Sequence, residues 1–341
     1  MIATGARSDA PVDSVRPPGD RHSPRLRRRI DGILLLDKPR GLSSNAALQR
    51  AKRLYRADKA GHTGTLDPLA TGLLPVCFGE ATKFANLLLD ADKTYLATLR
   101  LGATTTTGDA EGDVVNERPV AATRADLESV LPGFLGRIAQ VPPRYSALKR
   151  DGRNYYEYAR EGVDIAREPR TVHVHAIEIV DWRAPEVQIS VRCGKGTYIR
   201  TLAEDVGEAL GCGAHLSALA RTGAGEFVLA DATTLDALER RSDGERDAAL
   251  LAVDTLVRRL ERIDLAGAEA QRLSHGQALV CSERENGVVR VYADGAFAGL
   301  AEIRAGIMRA RRLLAQEDSG GTASPAHGEA TTQLNPKHFS G

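Results

Sequence analysis

Hydrophobic and polar positions recur at two different periods along this chain. Between Lys93 and Gly102 they alternate. Tyr95, Ala97, Leu99 and Leu101 fall on one side, and Leu96, Thr98 and Arg100 on the other, which is the period of a strand. The same alternation predicts strands over 172–182 and 187–193, the latter with Val187, Ile189, Val191 and Cys193 on one face and Gly194-Lys-Gly196 ending it. Gly32 to Asp37 reads as a short apolar strand, and 216–220 and 226–229 as two more. Helical spacing governs the stretch ending at Tyr55, where Leu48, Ala51 and Leu54/Tyr55 share a face behind the cap candidates Ser43, Ser44 and Asn45. Helices are also predicted over 80–89, 123–131, about 197–210 and 233–260, with a helical or turn segment near 133–139. From about 262 onward short strands separated by glycines predict a separate small β module. No internal repeat is visible.

Two segments resist both periods. Residues 103–113 are polar and read as a loop, and residues 141–170 are basic, tyrosine-rich and glycine-containing. An excursion that long inside a compact domain is usually functional or disordered.

Length and composition narrow the class. A chain of 341 residues with 42% hydrophobic content has room for two globular domains. No apolar run approaches a membrane span and no secretory leader is evident. Cys77, Cys193, Cys212 and Cys281 are widely spaced without a CxxC pair, so neither a disulfide framework nor a zinc knuckle is expected, and the reading is a reduced, cytoplasmic protein. The net charge of +1 does not announce a polyanion binder, but its distribution is uneven. Residues 1–29 carry seven arginines against three aspartates, and are expected to be a disordered basic arm that either binds phosphates or is merely solvated. Residues 316–341 are rich in Gly, Ser, Thr, Ala and Pro and are expected to be disordered as well.

Candidate chemistry concentrates in Gly61-His-Thr-Gly-Thr-Leu-Asp-Pro-Leu-Ala-Thr-Gly-Leu-Leu-Pro75. Proline pins its own φ and pushes the preceding residue out of the α region, so Pro68 holds Asp67 in a defined backbone conformation. The glycines permit tight turns and close approach of another chain. A lone Asp-Pro pair is more often a turn opener; here the whole stretch argues for a rigidly presented carboxylate. His173-Val-His175 is the metal-like pattern, but no third ligand is near in sequence and strand surface explains it better. Gly194-Lys-Gly-Thr197 suggests an anion nest but lacks the spacing of a nucleotide-binding P-loop.

The same stretch resembles the signature loop of the TruB family, the tRNA pseudouridine-55 synthases. Ile33-Leu-Leu-Leu-Asp-Lys-Pro-Arg-Gly41, Lys93-Thr-Tyr95, Val141-Pro-Pro-Arg-Tyr-Ser-Ala-Leu-Lys149, Cys193-Gly-Lys-Gly-Thr-Tyr-Ile-Arg-Thr-Leu202 and Gly211-Cys-Gly-Ala-His-Leu216 follow in that family's order. The resemblance covers roughly residues 30–230 closely and 262–313 loosely. It implies an α+β fold: a pseudouridine-synthase catalytic domain around a mixed, mostly antiparallel sheet (30–260, with 141–170 as an RNA-gripping insertion), and a small C-terminal PUA-like module (261–315).

Roles are implied with it. Asp67 becomes the essential nucleophile or base; whether it attacks the sugar, attacks the ring or takes a sugar proton stays open. A carboxylate working in a partly dry pocket needs a cation to stay ionised, and Arg200 is the candidate. Tyr95 would stack on the flipped uracil, its hydroxyl being a candidate acceptor for the C5 proton. Tyr198 and Leu219 would line the pocket, and His62 would fill the space the base leaves. Lys38 is expected among the substrate-binding groups, and both Lys38 and Lys83 either near phosphates or supporting the loop. The chain departs from the family at Ala220, where an arginine is frequent, and at Arg144, where an apolar residue is usual.

The implied partner is the T arm of tRNA, with no cofactor, no metal, no membrane and a monomeric protein. A tRNA-folding role and the guide-RNA-dependent relative of archaea and eukaryotes are the other readings. The insertion at 141–170 and Leu69-Ala-Thr-Gly72 favour the stand-alone enzyme.

Overall fold

In the computed structural model residues 27–146 and 148–315 are described. Most of the basic arm and the segment 316–341 therefore lie outside the described residues. Arg28, at the inner end of the arm, is tied down: it bridges to Ala57 and pairs with Asp247 at 2.5 Å.

The alternating segments assemble into one ten-stranded sheet. Across it run Thr233–Thr234, Gly32–Lys38, Thr71–Phe78, Ala214–Ala224, Lys93–Leu101, Glu186–Cys193, Arg170–Arg183 and Gly136–Gln140, with Ala60–His62 and Phe227–Val228 attached at the sides. Two pairings are parallel, that of Gly32–Lys38 with Thr233–Thr234 and that of Ala214–Ala224 with Thr71–Phe78; the others are antiparallel. The expected mixed, mostly antiparallel sheet is thus present. Lys93–Leu101 lies mid-sheet between two long partners, and its Ala97, Leu99 and Leu101 are buried as the alternation requires.

Helix Ile199–Ala209 covers one face through Ile199, Leu202, Ala203 and Val206, packed on Leu99, Ile189 and Val191. Helix Ser44–Tyr55 covers another region through Ala47, Leu48, Ala51 and Tyr55, packed on Leu34, Leu74 and Val76. Its cap is one of the predicted residues, Ser43, whose side chain accepts from the Ala46 N–H.

Four expectations need correction. The helix predicted over 80–89 is a 3₁₀ turn, Gly79–Lys83, followed by a short helix, Ala85–Leu89. The break falls at Phe84, which turns inward and is 1% exposed. The loop 103–113 begins as a strand, Ala103–Thr105, paired with Val114–Glu117. Gly136–Gln140 is an edge strand and not a helical turn, because Ile138 and its neighbours pair with Arg170–Val174. The region 233–260 holds two helices of six and five residues and a 3₁₀ turn.

A second sheet contains Glu261–Leu265, Gly287–Ala293, Ala296–Arg304, Ile307–Leu313 and Leu279–Val280 around its own core of Ile263, Leu273, Val291, Ile303 and Met308. Helix Gly267–Ser274, unseen in the glycine-punctuated sequence, closes that core with Leu273. The module is seated on the larger sheet's flank. Phe84, Val257 and Leu300 are buried together, with the Phe84 and Phe297 rings 5.6 Å apart. Lys83 spans the seam, pairing with Glu80 at 2.6 Å and donating to the Leu313 carbonyl at 3.0 Å.

The segment that follows the Asp67 loop is held by one close backbone approach. Thr71 and Gly72 pair in parallel with Ala220 and Arg221. Gly72 has φ +96°, and a Cβ there would sit 2.5 Å from the Arg221 carbonyl oxygen. Gly72→Ala is therefore expected to destabilise the fold by more than the ~1–3 kcal/mol of backbone strain alone. A denaturant midpoint unchanged at constant slope would refute this.

Candidate active site

Asp67 sits on the turn between Ala60–His62 and Thr71–Phe78, where the Ala70 N–H donates to its carbonyl at 3.1 Å and Ser44 Oγ holds the neighbouring Leu66 backbone. Its carboxylate faces a cleft of about 320 Å³ lined by Tyr95, Tyr198, Arg200, Leu219 and Arg221 among others. Lining residues come from five separate segments of the sequence, so the site exists only in the folded chain.

Arg200 is the organising charge. It stands in the first turn of helix Ile199–Ala209, yet only 5% of its side chain is exposed. Its Nη2 lies 3.0 Å from Asp67 Oδ2 and donates to the Tyr145 carbonyl at 2.7 Å, while Nη1 donates to the Thr107 carbonyl at 3.1 Å. Behind it, Nε faces Asp109 Oδ2 at 3.7 Å. A buried guanidinium is tolerable only with this degree of pairing.

Asp67 itself has an open side, with 41% of its side chain reached by solvent, but protein packs closely around the rest. Burial raises its pKa; the adjoining Arg200 guanidinium opposes that rise, and Asp109 adds to it. The carboxylate thus remains accessible while one cation opposes its protonation.

Asp109 was not among the residues singled out in the sequence. It is 3% exposed, accepts from Thr107 Oγ1 at 2.6 Å and from the Glu111 N–H at 3.0 Å, and fixes the loop whose Thr107 carbonyl meets Arg200. Its signal was faint, one of three acids in the polar run 103–113. The Thr-Gly-Asp turn identifies it only once Arg200 is known to lie across from it.

Tyr95 and Arg221 face each other across adjacent strands. Burial raises the Tyr95 pKa, and the Arg221 guanidinium beside its hydroxyl opposes this, so the phenol is neutral at ordinary pH. Arg221, 1% exposed, donates from Nε to the Leu73 carbonyl at 2.7 Å and from Nη2 to the Gly64 carbonyl at 3.2 Å. It therefore ties the loop on both sides of Asp67 to the strand that carries Leu219. Tyr198 occupies the N-cap position of the helix. Gln140 clamps its backbone with two hydrogen bonds, at 3.0 and 3.3 Å. Lys93 Nζ donates to the carbonyls of Leu88, Leu89 and Ala91 at 3.1, 2.6 and 2.7 Å, which fixes the end of helix Ala85–Leu89 at the cleft wall.

Three of the expected residues, Lys38, Lys83 and His62, are not among those lining the cleft. Lys38, read as a substrate-binding group, is 0% exposed and donates to the Pro39 and Leu42 carbonyls at 2.9 and 2.6 Å. Burial lowers its pKa to about 8, and it braces the adjoining turn, the second of the two roles expected of it. Lys83 is spent on the seam with the small module. His62 is half-buried, and its Nδ1 is buried without a hydrogen-bond partner among the described residues. Burial, and next the Arg221 charge, lower its pKa.

Comparison with known proteins bears on this geometry. Residues 52–199 match the family model for the N-terminal domain of TruB family pseudouridylate synthases, 200–263 that for the tRNA pseudouridylate synthase B C-terminal domain, and 262–314 that for the C-terminal part of pseudouridine synthase II TruB. A tRNA pseudouridine synthase B of Burkholderia mallei is 57% identical over 300 residues, covering 85% of this chain and 96% of that protein. The chain belongs to the TruB family. Another family member, from Azoarcus sp., is 54% identical over 291 residues, covering 85% of this chain and 97% of its own. Among solved structures, a chain of a Cbf5-Nop10-Gar1 complex aligns with TM-score 0.60 at 28% identity, over 80% of this chain and 78% of that one. A chain of an H/ACA RNP bound to a substrate RNA containing 2'-deoxyuridine aligns with TM-score 0.60 at 26% identity, over 80% and 77% of the two chains. The α+β fold of this TruB family member, with its large mixed sheet and C-terminal β sheet, agrees with these relatives.

Proposed function

We propose that this protein converts uridine 55 in the T loop of tRNA to pseudouridine, with Asp67 at the reacting sugar and base. The observation that carries the reading is the 3.0 Å pairing of an accessible Asp67 with a buried Arg200 on the wall of a cleft of about 320 Å³. The relatives named tRNA pseudouridine synthase B support the substrate class.

The chemistry is balanced within the nucleotide. The N1–C1′ bond breaks, the ring turns, a C5–C1′ bond forms, C5 loses a proton and N1 gains one. No electrons are exchanged with a partner, so the work consists of holding a detached ring and handling one proton. Asp67 supplies the negative oxygen, as nucleophile or base. Arg200 keeps that oxygen ionised. Tyr95 offers a face for the extruded base, and a stacked aromatic contributes ~1–3 kcal/mol, comparable with the few kcal/mol of unstacking. Leu219 and Tyr198 close the sides. His62, on the same loop as Asp67, fills the space that the extruded base leaves.

Proton transfer from C5 falls to Tyr95 only if its neutral hydroxyl passes on its own proton as it accepts the new one. Tyr95→Phe is expected to leave RNA affinity within a few-fold and slow single-turnover conversion by ~10²-fold or more. An unchanged rate would remove the hydroxyl from the proton path and leave the ring its stacking role.

The direct test is to incubate purified protein with an unmodified tRNA transcript and map pseudouridine at nucleotide resolution. Modification at position 55 is expected. Absence of any conversion, or conversion confined to another position, would overturn the proposal.

A further inference from the structure

The catalytic cleft is one end of a longer element. Helix Ser44–Tyr55 starts beside the Asp67 loop, where Ser44 binds Leu66, and runs for 12 residues, about 18 Å. At its far end a groove of about 460 Å³ is lined by Arg27, Gln49, Lys52, Arg53, Arg56 and Arg246, with Asp243 the one acid.

Two features make this groove electropositive. The first is an imbalance of partners. Asp243 is shared by Arg56, at 2.5 Å, and Arg246, at 3.0 Å, whereas Arg27, Lys52 and Arg53 have no ion pair among the described residues. The second is the state of the helix end. Exposed carbonyls at a helix C-terminus ordinarily repel an anion. Here they are occupied: Arg56, in the left-handed conformation at φ 52°, donates its N–H to the Arg53 carbonyl, Ala57 donates to Lys52, Arg28 donates to Arg56, and Arg246 Nη1 donates to Leu54. The cations therefore set the local potential.

The groove also has a direction. The chain leaving it reaches Lys59, whose carbonyl accepts from Gly79, the start of the turn that carries Lys83 to the small module. That module turns exposed Arg309, Arg311 and Arg312 outward on strand Ile307–Leu313.

We propose that this groove binds the phosphate backbone of the RNA outside the loop being modified, as a second point of attachment for a full-length tRNA. The inference rests on the proposed function for the identity of the RNA, but its test is separable. The variant R27Q/K52Q/R53Q alters no residue of the cleft. Its affinity for an unmodified full-length tRNA transcript is expected to fall about tenfold at moderate salt, with the slope of log K against log salt reduced by about two. Affinity for, and turnover of, a hairpin limited to the T arm are expected to stay at wild-type level. R27K/R53K, which keeps the charges, should bind tRNA as the wild type does. Equal tRNA affinity and salt slope for the triple variant and wild type, or an equal loss on tRNA and hairpin, would overturn the proposal. Failure of the wild type to modify either RNA would instead strike the proposed function, while the binding comparison would still decide the groove.

Discussion

Replacing Asp67 with asparagine is expected to reduce pseudouridine formation by at least ~10⁴-fold under single-turnover conditions, the scale reached when the group that makes and breaks bonds is removed. Asparagine has nearly the same shape and can still accept from Arg200, so the loop, held by Ser44, Arg221 and Pro68, has no reason to move. RNA affinity should change by no more than a few-fold. A rate within tenfold of wild type would show that the Asp67 oxygen carries no charge that matters to the reaction, and the assignment of the site would fall with it.

Arg200 predicts a smaller but more diagnostic loss. Arg200→Lys retains a positive charge and so spares Asp109 from isolation, yet it cannot reproduce a fork that reaches Asp67, the Tyr145 carbonyl and the Thr107 carbonyl together. Conversion should fall by ~10²–10³-fold with tRNA binding preserved. Arg200→Met removes the charge and adds a signature in pH. Burial already raises the Asp67 pKa, and Arg200 is the largest influence opposing it. Without that cation the carboxyl rises further and is more fully protonated in weak acid. If the ionised form is the active one, the residual rate of this variant should climb with increasing pH across a range where the wild type is already level. A flat profile, or one that falls with pH, would mean that Arg200 does not act by holding the charge on Asp67. Loss of the cooperative unfolding transition in Arg200→Met would leave Arg200→Lys as the deciding variant.

Much of the main sheet could be read from sequence because its central strands are amphipathic in the simplest way. Lys93–Leu101 and Glu186–Cys193 alternate almost without exception, and the structure buries the residues that alternation selects. Helix Ser44–Tyr55 was legible for the same reason at its own period. What stayed hidden depended on partners far away in sequence. Gly136–Gln140 is a strand only because Arg170–Val174 offers an edge to it. Phe84 breaks a helical run because the small module supplies a pocket for its ring. At the site, Asp67 stood out through its rigid loop and Arg200 through the motif that carries it. Asp109 did not, because its meaning lies in a 3.7 Å approach to a residue 91 positions later. For Lys38 the sequence left phosphate contact and support of the loop both open, because nothing in it shows that the ammonium is turned inward onto two carbonyls.

Arg221 bears on how such a site can be altered. One enclosed guanidinium touches the backbone at Gly64 and Leu73 and borders the Tyr95 hydroxyl, while its own main chain lies against Gly72. The loop and the strand behind it are consequently a single inheritable unit. A graft of the Asp67 loop into another scaffold would be inert unless the strand Ala214–Ala224 travelled with it, and laboratory evolution of new base preference would have to change these positions jointly instead of one at a time.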